Sequence, residues 1–383
     1  MNTRMVVLLV DALGWTLASR TPGFAPGLGE RRRLATILGF STGALPTLFT
    51  GRMPSEHGRF LMYRRAPRTG GVFRGFEAVG LLPGRIQRSW RFGRWLRDRV
   101  AARGVRGYFD LYEVPRALLP QFDLVERDDL FQPGGLPGDS LWDTLERRGV
   151  RWRGWNWRTP EAQALEALAG RVAHGDEQVL FAYTAELDAL LHREGSSGPG
   201  VHERLARYDA WLAGIEAAAA QRGERLWIYL LSDHGMVDVT RHADVMGAVA
   251  ATGARAPHDL LAFYDSSMAR FWWRRDGVRE RVRAALAGLP GRWLDQAALA
   301  AADCAFPDHA YGDEVFLLDP GVLLVPSFMG REPVAAMHGY DAGHPDMAAL
   351  LWSNRPIPPD VRALRDVRPH LEAELDRLRA EAA

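Results

Sequence analysis

Short, unbroken apolar runs at residues 5–10, 179–183, 226–231 and 348–352 set the frame of this sequence. Continuous hydrophobicity over so few residues describes strands covered on both faces, as in a parallel sheet. Between the runs, segments 140–148, 159–173 and 201–220 repeat their apolar positions with a helical period. Strands alternating with helices predict an α/β fold built on a doubly wound, mostly parallel sheet. Ligands of such sheets bind beyond the carboxyl ends of the strands.

Those ends carry acids. The first run leads straight into Asp11, the second is followed by Asp188, and the third by Ser232-Asp233-His234. Asp188 and His192 are four residues apart, which puts both on one face of a helix. His338 sits in the tight loop Met337-His338-Gly339-Tyr340-Asp341. Together these three aspartates and three histidines make the oxygen and nitrogen donor mixture suited to Zn2+ or Mn2+. Two such ions about 3.5–4 Å apart can clamp a phosphoryl group. Ser41, at the expected start of a short helix, would lie near free amide donors and the positive end of the helix dipole, where an alkoxide is favoured. Each residue alone has a plainer role: Asp11 as a turn former, Asp188 and His192 as solvated surface, Ser41 as a helix cap. Their joint occurrence at strand ends and tight loops carries the catalytic reading.

Two segments break the alternation. Residues 61–137 are rich in arginine, glycine and aromatics, and residues 258–330 carry a separate α/β pattern. Both read as insertions capping the mouth of the sheet, which leaves 1–60, 138–257 and 331–383 as the core domain. Within the second insertion a strand is expected at 269–273 and a helix at 278–287. Runs 315–318 and 322–325 flank Asp319-Pro320-Gly321 as a hairpin. Residues 359–383 read as a closing amphipathic helix. In the first insertion Arg85, Arg88, Arg91, Arg94 and Arg97 recur every third residue, with Trp90, Phe92 and Trp95 among them. Such a row on a helix could bind a polyanion. Its plainer reading is a solvated helix paired with Asp110, Glu113 or Glu126. The Arg and Trp cluster at 151–158 reads as packing at a sheet edge.

Charge narrows the partners. All 48 basic residues are arginine, and the formal net charge is only +1, so no global field points to nucleic acid or membrane. The single cysteine, Cys304, excludes an intrachain disulfide and a thiolate metal cluster, and fits a reducing compartment. The apolar start is too short for a signal-peptide core, and no run reaches the roughly 18–20 apolar residues of a membrane span. A cytoplasmic protein is expected.

The strings VVLLVDALGW, STGALPTLFTGRMPSEHG, ELDALLHREG, SDHGM and MHGYDAGHPDM occur in that order over residues 5–347. They resemble the alkaline phosphatase superfamily, most closely its type I phosphodiesterase / nucleotide pyrophosphatase branch. The resemblance implies an alkaline phosphatase-like core and a nucleophile ten residues before the glycine of Thr50-Gly51. That position is Ser41, with Thr42 as the fallback. It implies one cation, Zn2+ first and Mn2+ as the alternative, on Asp188, His192 and His338. A second would sit on Asp11, Asp233 and His234 with the Ser41 oxygen. His344 competes with His338 for its role, and His57 matches a structural position.

The chain departs from that branch in two places. Gly43-Ala44 stands where a Pro-Asn pair is usual, and Met62 stands where an asparagine contacts the phosphoryl oxygen. That oxygen then needs another donor, Tyr63 or an insertion arginine such as Arg91. The nucleophile lacks the x-Pro-x-Arg context of the sulfatase branch, which disfavours sulfate esters. The expected activity is hydrolysis of a phosphodiester or pyrophosphate in a small phosphorylated or nucleotide-like substrate, through a phosphoserine. A phosphotransferase, mutase or phosphomonoesterase of the same superfamily is the alternative. A non-catalytic nucleic-acid binder using the arginine row is the reading from another class. Oligomeric state is not readable from the sequence.

Overall fold

The structure is a computed structural model that describes residues 3–87 and 89–382. Its central sheet comprises β1 (Thr3–Val10), β2 (Glu30–Leu34), β3 (Trp152–Trp155), β4 (Val179–Thr184), β5 (Arg225–Leu231) and β6 (Ala349–Ser353), in spatial order β2-β6-β5-β1-β4-β3. β1 pairs parallel with β4 and β5, and β3 pairs parallel with β4. The fold is therefore the expected α/β type with a mostly parallel sheet.

Side-chain alternation along β1 explains why its apolar run is continuous. Met5, Val7 and Leu9 enter one core while Val6, Leu8 and Val10 enter another on the opposite face. On the first face lie helices α1 (Ser41–Thr50) and, at the end of the chain, Val367–Ala382, which contributes Leu371, Leu375 and Leu378. The opposite face is covered by helix Pro199–Gln221 through Val201, Leu205, Leu212 and Ile215. Each such aliphatic side chain contributes about 1.5–3 kcal/mol on full burial, so a polar substitution at Leu8 or Ile228 would cost the sheet its cover on one side.

A third core joins segments 61–137 and 258–330. Tyr63, Phe73, Leu96 and Phe122 from the first pack with Phe263, Trp272 and Phe316 from the second. Segment 258–330 holds a four-stranded antiparallel sheet in the order Leu260–Tyr264, Met268–Trp273, Glu314–Leu318, Gly291–Leu294. Arg270, fully buried in it, is paired with Asp265 at 2.8 Å and donates to the Tyr63 carbonyl at 2.7 Å. That cross-link needs its charge neutralised because a lone buried guanidinium is costly.

Three expectations fail here. β6, read as parallel, runs antiparallel to both β5 and β2; burial on two faces gives the same apolar run whatever the strand direction. The hairpin at Asp319-Pro320-Gly321 does not form. Glu314–Leu318 stays in the second sheet, while Val322–Leu324 leaves to pair in parallel with Arg241–Ala243. The arginine row is not one helix: a short turn at Gly84–Gln87 precedes α2 (Trp90–Ala101), which Ser89 caps by accepting from the Phe92 N–H. Arg88 lies outside the described residues. Arg97 pairs with Asp110 at 3.3 Å, one of the partners the solvated reading named.

Candidate active site

Strand ends deliver the acids. The Asp11 N–H donates to the Thr184 carbonyl at 2.9 Å, and Ala12 then adopts φ 61°. That left-handed conformation is uncommon for a residue with a Cβ. It turns the chain away and leaves the Asp11 carboxylate at the sheet edge, where Tyr183 Oη donates to Asp11 Oδ2 at 2.5 Å.

Helix α3 (Glu186–Glu194) follows β4 and holds Asp188 in its first turn and His192 in its last, with 3.4 Å between Oδ1 and Nε2. His192 Nδ1 donates to the Ala336 carbonyl at 2.8 Å, which leaves Nε2 as the free ligand atom. The ribbon of Ala336–Met337 against Val237–Asp238 carries His338 to the same place, its Nε2 3.6 Å from Asp188 Oδ1. Gly339 follows at φ 82°; a Cβ there would lie 2.8 Å from Ser267 Oγ.

Beyond β5, His234 Nδ1 donates to the Gly235 carbonyl at 3.0 Å, and its Nε2 lies 3.3 Å from both Asp11 Oδ1 and Asp233 Oδ2. Gly235 is required by close approach, since a Cβ would fall 2.0 Å from the Asp346 carbonyl oxygen. The ligand atoms of Asp188, His192 and His338 lie within 4.8 Å of one another, as do those of Asp11, Asp233 and His234.

Ser41 is the first residue of α1. Its Oγ is 2.9 Å from His234 Nε2 and 3.4 Å from each Asp11 carboxylate oxygen. Thr42 is the next residue of the same helix. The helix start is held from behind: Thr47 donates to the Gly43 carbonyl at 2.9 Å and lies 3.0 Å from His57 Nε2. His57 Nδ1 accepts from the Arg59 N–H at 3.2 Å, so Nε2 carries the proton given to Thr47. Burial and the Arg59 guanidinium hold His57 neutral, its pKa down at about 3.

The electrostatics describe a place for cations. Burial, then repulsion from Asp233 and Asp188, pushes the Asp11 carboxyl well above the usual carboxylate range. Burial also opposes charge on Asp188, but His192, His338 and His234 outweigh it and hold that carboxyl low. Burial and the neighbouring His234 keep His338 in its neutral, ligand-competent form. Asp188 Oδ1, Asp233 Oδ2 and His338 Nδ1 are buried without a hydrogen-bond partner. Among the described residues no arginine pairs with Asp11, Asp188 or Asp233. Crowded carboxylates, oriented imidazoles and orphaned oxygens fit divalent metal ions.

The remaining site residues are elsewhere. Tyr63 is a correction: its ring is fully buried among Phe73, Tyr112 and Phe263, and its hydroxyl donates to the Asp110 carbonyl at 2.8 Å. A side chain spent on the cap core has no donor left for substrate. Arg91 is exposed on α2, its guanidinium 5.8 Å from the Trp90 ring centroid. His344 caps the turn Pro345–Met347, accepting from the Asp346 N–H at 3.3 Å. Met62 is buried, and its sulfur accepts from the Asp110 N–H at 3.4 Å.

Two tyrosines escaped the sequence reading. Tyr183 hides in a buried strand. Tyr108 lies in an irregular stretch of the first insertion, 45% exposed, its ring edge-on to Trp157 at 5.3 Å. Burial, then Asp110, Asp188 and Asp11, raises its hydroxyl pKa. Tyrosine in a glycine-rich loop gave no periodicity or spacing to find it by.

A model of type I phosphodiesterase / nucleotide pyrophosphatase matches residues 5–341. The chain belongs to this family. It is accordingly a hydrolase of phosphoric ester or anhydride bonds, and divalent metal dependence comes with the family. Among solved structures, murine ectonucleotide pyrophosphatase / phosphodiesterase 5 superposes with a TM-score of 0.66 at 14% identity, covering 97% of this chain and 95% of that one. An inactive threonine-to-alanine form of the murine protein in complex with AMP gives 0.65 at 14% identity, covering 98% and 95%. The human protein gives 0.64 at 12%, covering 97% and 95%. At these identities the likeness concerns the fold. No curated protein matches the sequence.

Proposed function

We propose that this family member hydrolyses a phosphodiester or pyrophosphate bond of a nucleotide-like substrate, with Ser41 as nucleophile between two divalent cations. The carrying observation is the Ser41 Oγ at a helix N-terminus, 2.9 Å from His234 Nε2 and 3.4 Å from both Asp11 oxygens. Asp188, His192 and His338 would hold one ion; Asp11, Asp233, His234 and Ser41 would hold the other. Nitrogen and carboxylate donors favour Zn2+, with Mn2+ as the alternative. Bound there, the ions would neutralise charge on the transferring phosphoryl group and the departing oxygen.

Ser41 Oγ forms the new bond to phosphorus while the opposite ester or anhydride bond breaks, and the Ser41 proton ends on the released group. Water then cleaves the phosphoserine and restores the hydroxyl. The α1 amides face the incoming phosphate, and Tyr183 keeps Asp11 oriented. Met62 has no hydrogen to donate. We assign that role to Tyr108, a phenol whose ionisation is disfavoured by burial and by the charges of Asp110, Asp188 and Asp11. Residues 61–137 and 258–330 act as the caps that bring such groups over the sheet.

No helix among the described residues is long and apolar enough to cross a membrane. The cytoplasm remains our proposed compartment, supported by the lone, buried Cys304 thiol. The test of the nucleophile is rapid quenching with an aryl phosphodiester followed by peptide mass spectrometry. A phosphoryl adduct on Ser41 is expected; an adduct on Thr42 would move the assignment by one residue, and one on neither would refute covalent catalysis.

A further inference from the structure

A cleft of about 1010 Å3 opens on the cap, lined by Arg64, Arg65, Arg68, Arg74 and Arg274. It shares no lining residue with the two Asp/His groups or Ser41. Two acids also line it, but both are engaged with backbone: Glu77 accepts from the Gly75 N–H at 3.3 Å and Asp308 from the Ala310 N–H at 3.1 Å. Arg64 pairs with Asp123 at 3.2 Å, a carboxylate already shared with Arg127. Among the described residues, Arg65, Arg68, Arg74 and Arg274 have no carboxylate partner.

Elsewhere in the chain Arg106 meets Asp128 at 2.6 Å, Arg147 meets Asp139 at 2.8 Å and Arg158 meets Asp129 at 3.2 Å. In the cleft three of the guanidiniums are instead braced on neutral oxygens. Arg65 donates to the Asp308 carbonyl at 2.6 Å, Arg74 to the Thr69 carbonyl at 3.2 Å, and Arg274 to the Pro257 carbonyl at 2.7 Å and to Gln121 at 2.9 Å. Each guanidinium has five N–H donors, so bracing leaves others free. Burial and the like charge of Arg65 together hold the Arg274 pKa below its ordinary value. Like charges fixed side by side without acids are stabilised by an anion that bridges them.

The other walls decide which anion. They include Ala66, Pro67, Pro120 and Ala310, and among the described residues no aromatic side chain lines the cleft. Nucleic acids bind non-specifically by stacking bases on aromatic rings along a basic groove; here only the basic part is present, in a cleft too large for a single phosphate. We propose that this cleft binds a small polyphosphate anion, with tripolyphosphate as its simplest representative, through Arg65, Arg68, Arg74 and Arg274.

The test is calorimetric titration of tripolyphosphate into the full-length protein as purified, alongside Arg68→Ala/Arg274→Ala, Arg68→Glu, Ser41→Ala and, as a remote surface control, Arg207→Ala. Charge-assisted contacts to two guanidiniums predict binding weakened about 100-fold in the double variant. Arg68→Glu, at an exposed side chain with no bond to lose, should weaken it by about tenfold or more without touching the fold. Ser41→Ala and Arg207→Ala should bind as wild type. Equal binding by the arginine variants, or loss in Ser41→Ala alone, would place the anion at the catalytic centre and overturn the proposal. So would absence of binding by the wild type, or displacement of tripolyphosphate by a tighter-binding deoxythymidine oligonucleotide.

Discussion

The imidazoles of His234 and His338 stack with ring centroids 4.0 Å apart and planes 14° from parallel. One comes from each Asp/His group, so the two groups share a wall. A substitution in either ring should therefore disturb both sites, whereas one at His192, whose ring centroid is 5.3 Å from that of His338, should disturb one. Metal analysis by mass spectrometry is expected to find about two ions per chain in the wild type and about one in His192→Ala, with His234→Ala below one. Equal loss in both variants would refute the shared wall.

Chelation should destabilise the protein. Metals present at about a hundredfold excess over Kd contribute about 2.7 kcal/mol by mass action, here by neutralising the crowd of Asp11, Asp188 and Asp233. Scanning calorimetry with and without chelator should show Tm falling by about 3 °C, and added Zn2+ should restore it. An unchanged Tm contradicts a structural link between ions and fold.

Stability should fall as pH rises through the acid range, because of Glu126. Burial pushes this carboxyl up to about 7, against the help of the Tyr108 N–H that it accepts at 2.9 Å. The sign follows from proton counting. Below about 4.5 both folded and unfolded chains hold the proton; between there and 7 only the folded chain does, so rising pH favours unfolding. Roughly 3 kcal/mol is lost across that window. Glu126→Gln should remove this part of the slope in denaturant titrations at successive pH values, and an unaltered slope would show the carboxyl ionised in the fold.

The two cap tyrosines should separate cleanly. Tyr108→Phe is expected to lower kcat/KM on a phosphodiester about 100-fold, the cost of one transition-state donor, with little change in Tm. Tyr63→Phe should cost about 1 kcal/mol of stability for its buried bond to the Asp110 carbonyl, with turnover unaltered. The reverse pattern would return Tyr63 to the site.

What the residue order revealed follows from locality. Asp11, Asp233 and His234 each directly follow a buried run, and Asp188 and His192 are spaced for one helical face, so strand ends and helix periodicity suffice to find them. β6 resisted because a strand buried on both faces looks alike in either direction. The expected hairpin failed because Val322–Leu324 takes its partner from Arg241–Ala243, a long-range choice invisible to the intervening Asp319-Pro320-Gly321 turn. Tyr108 and the arginine cleft depend on how irregular cap segments fold onto each other, where no period constrains the chain.

Ser41 is the proposed nucleophile between the two candidate metal sites. Steady-state turnover of an aryl phosphodiester by Ser41→Ala, with metal content measured on the same sample, tests it most directly. Loss of a nucleophile predicts a fall in kcat of about 10³-fold or more with metal content largely retained. Turnover within about twofold of wild type, at full metal loading, would show that Ser41 is not the nucleophile.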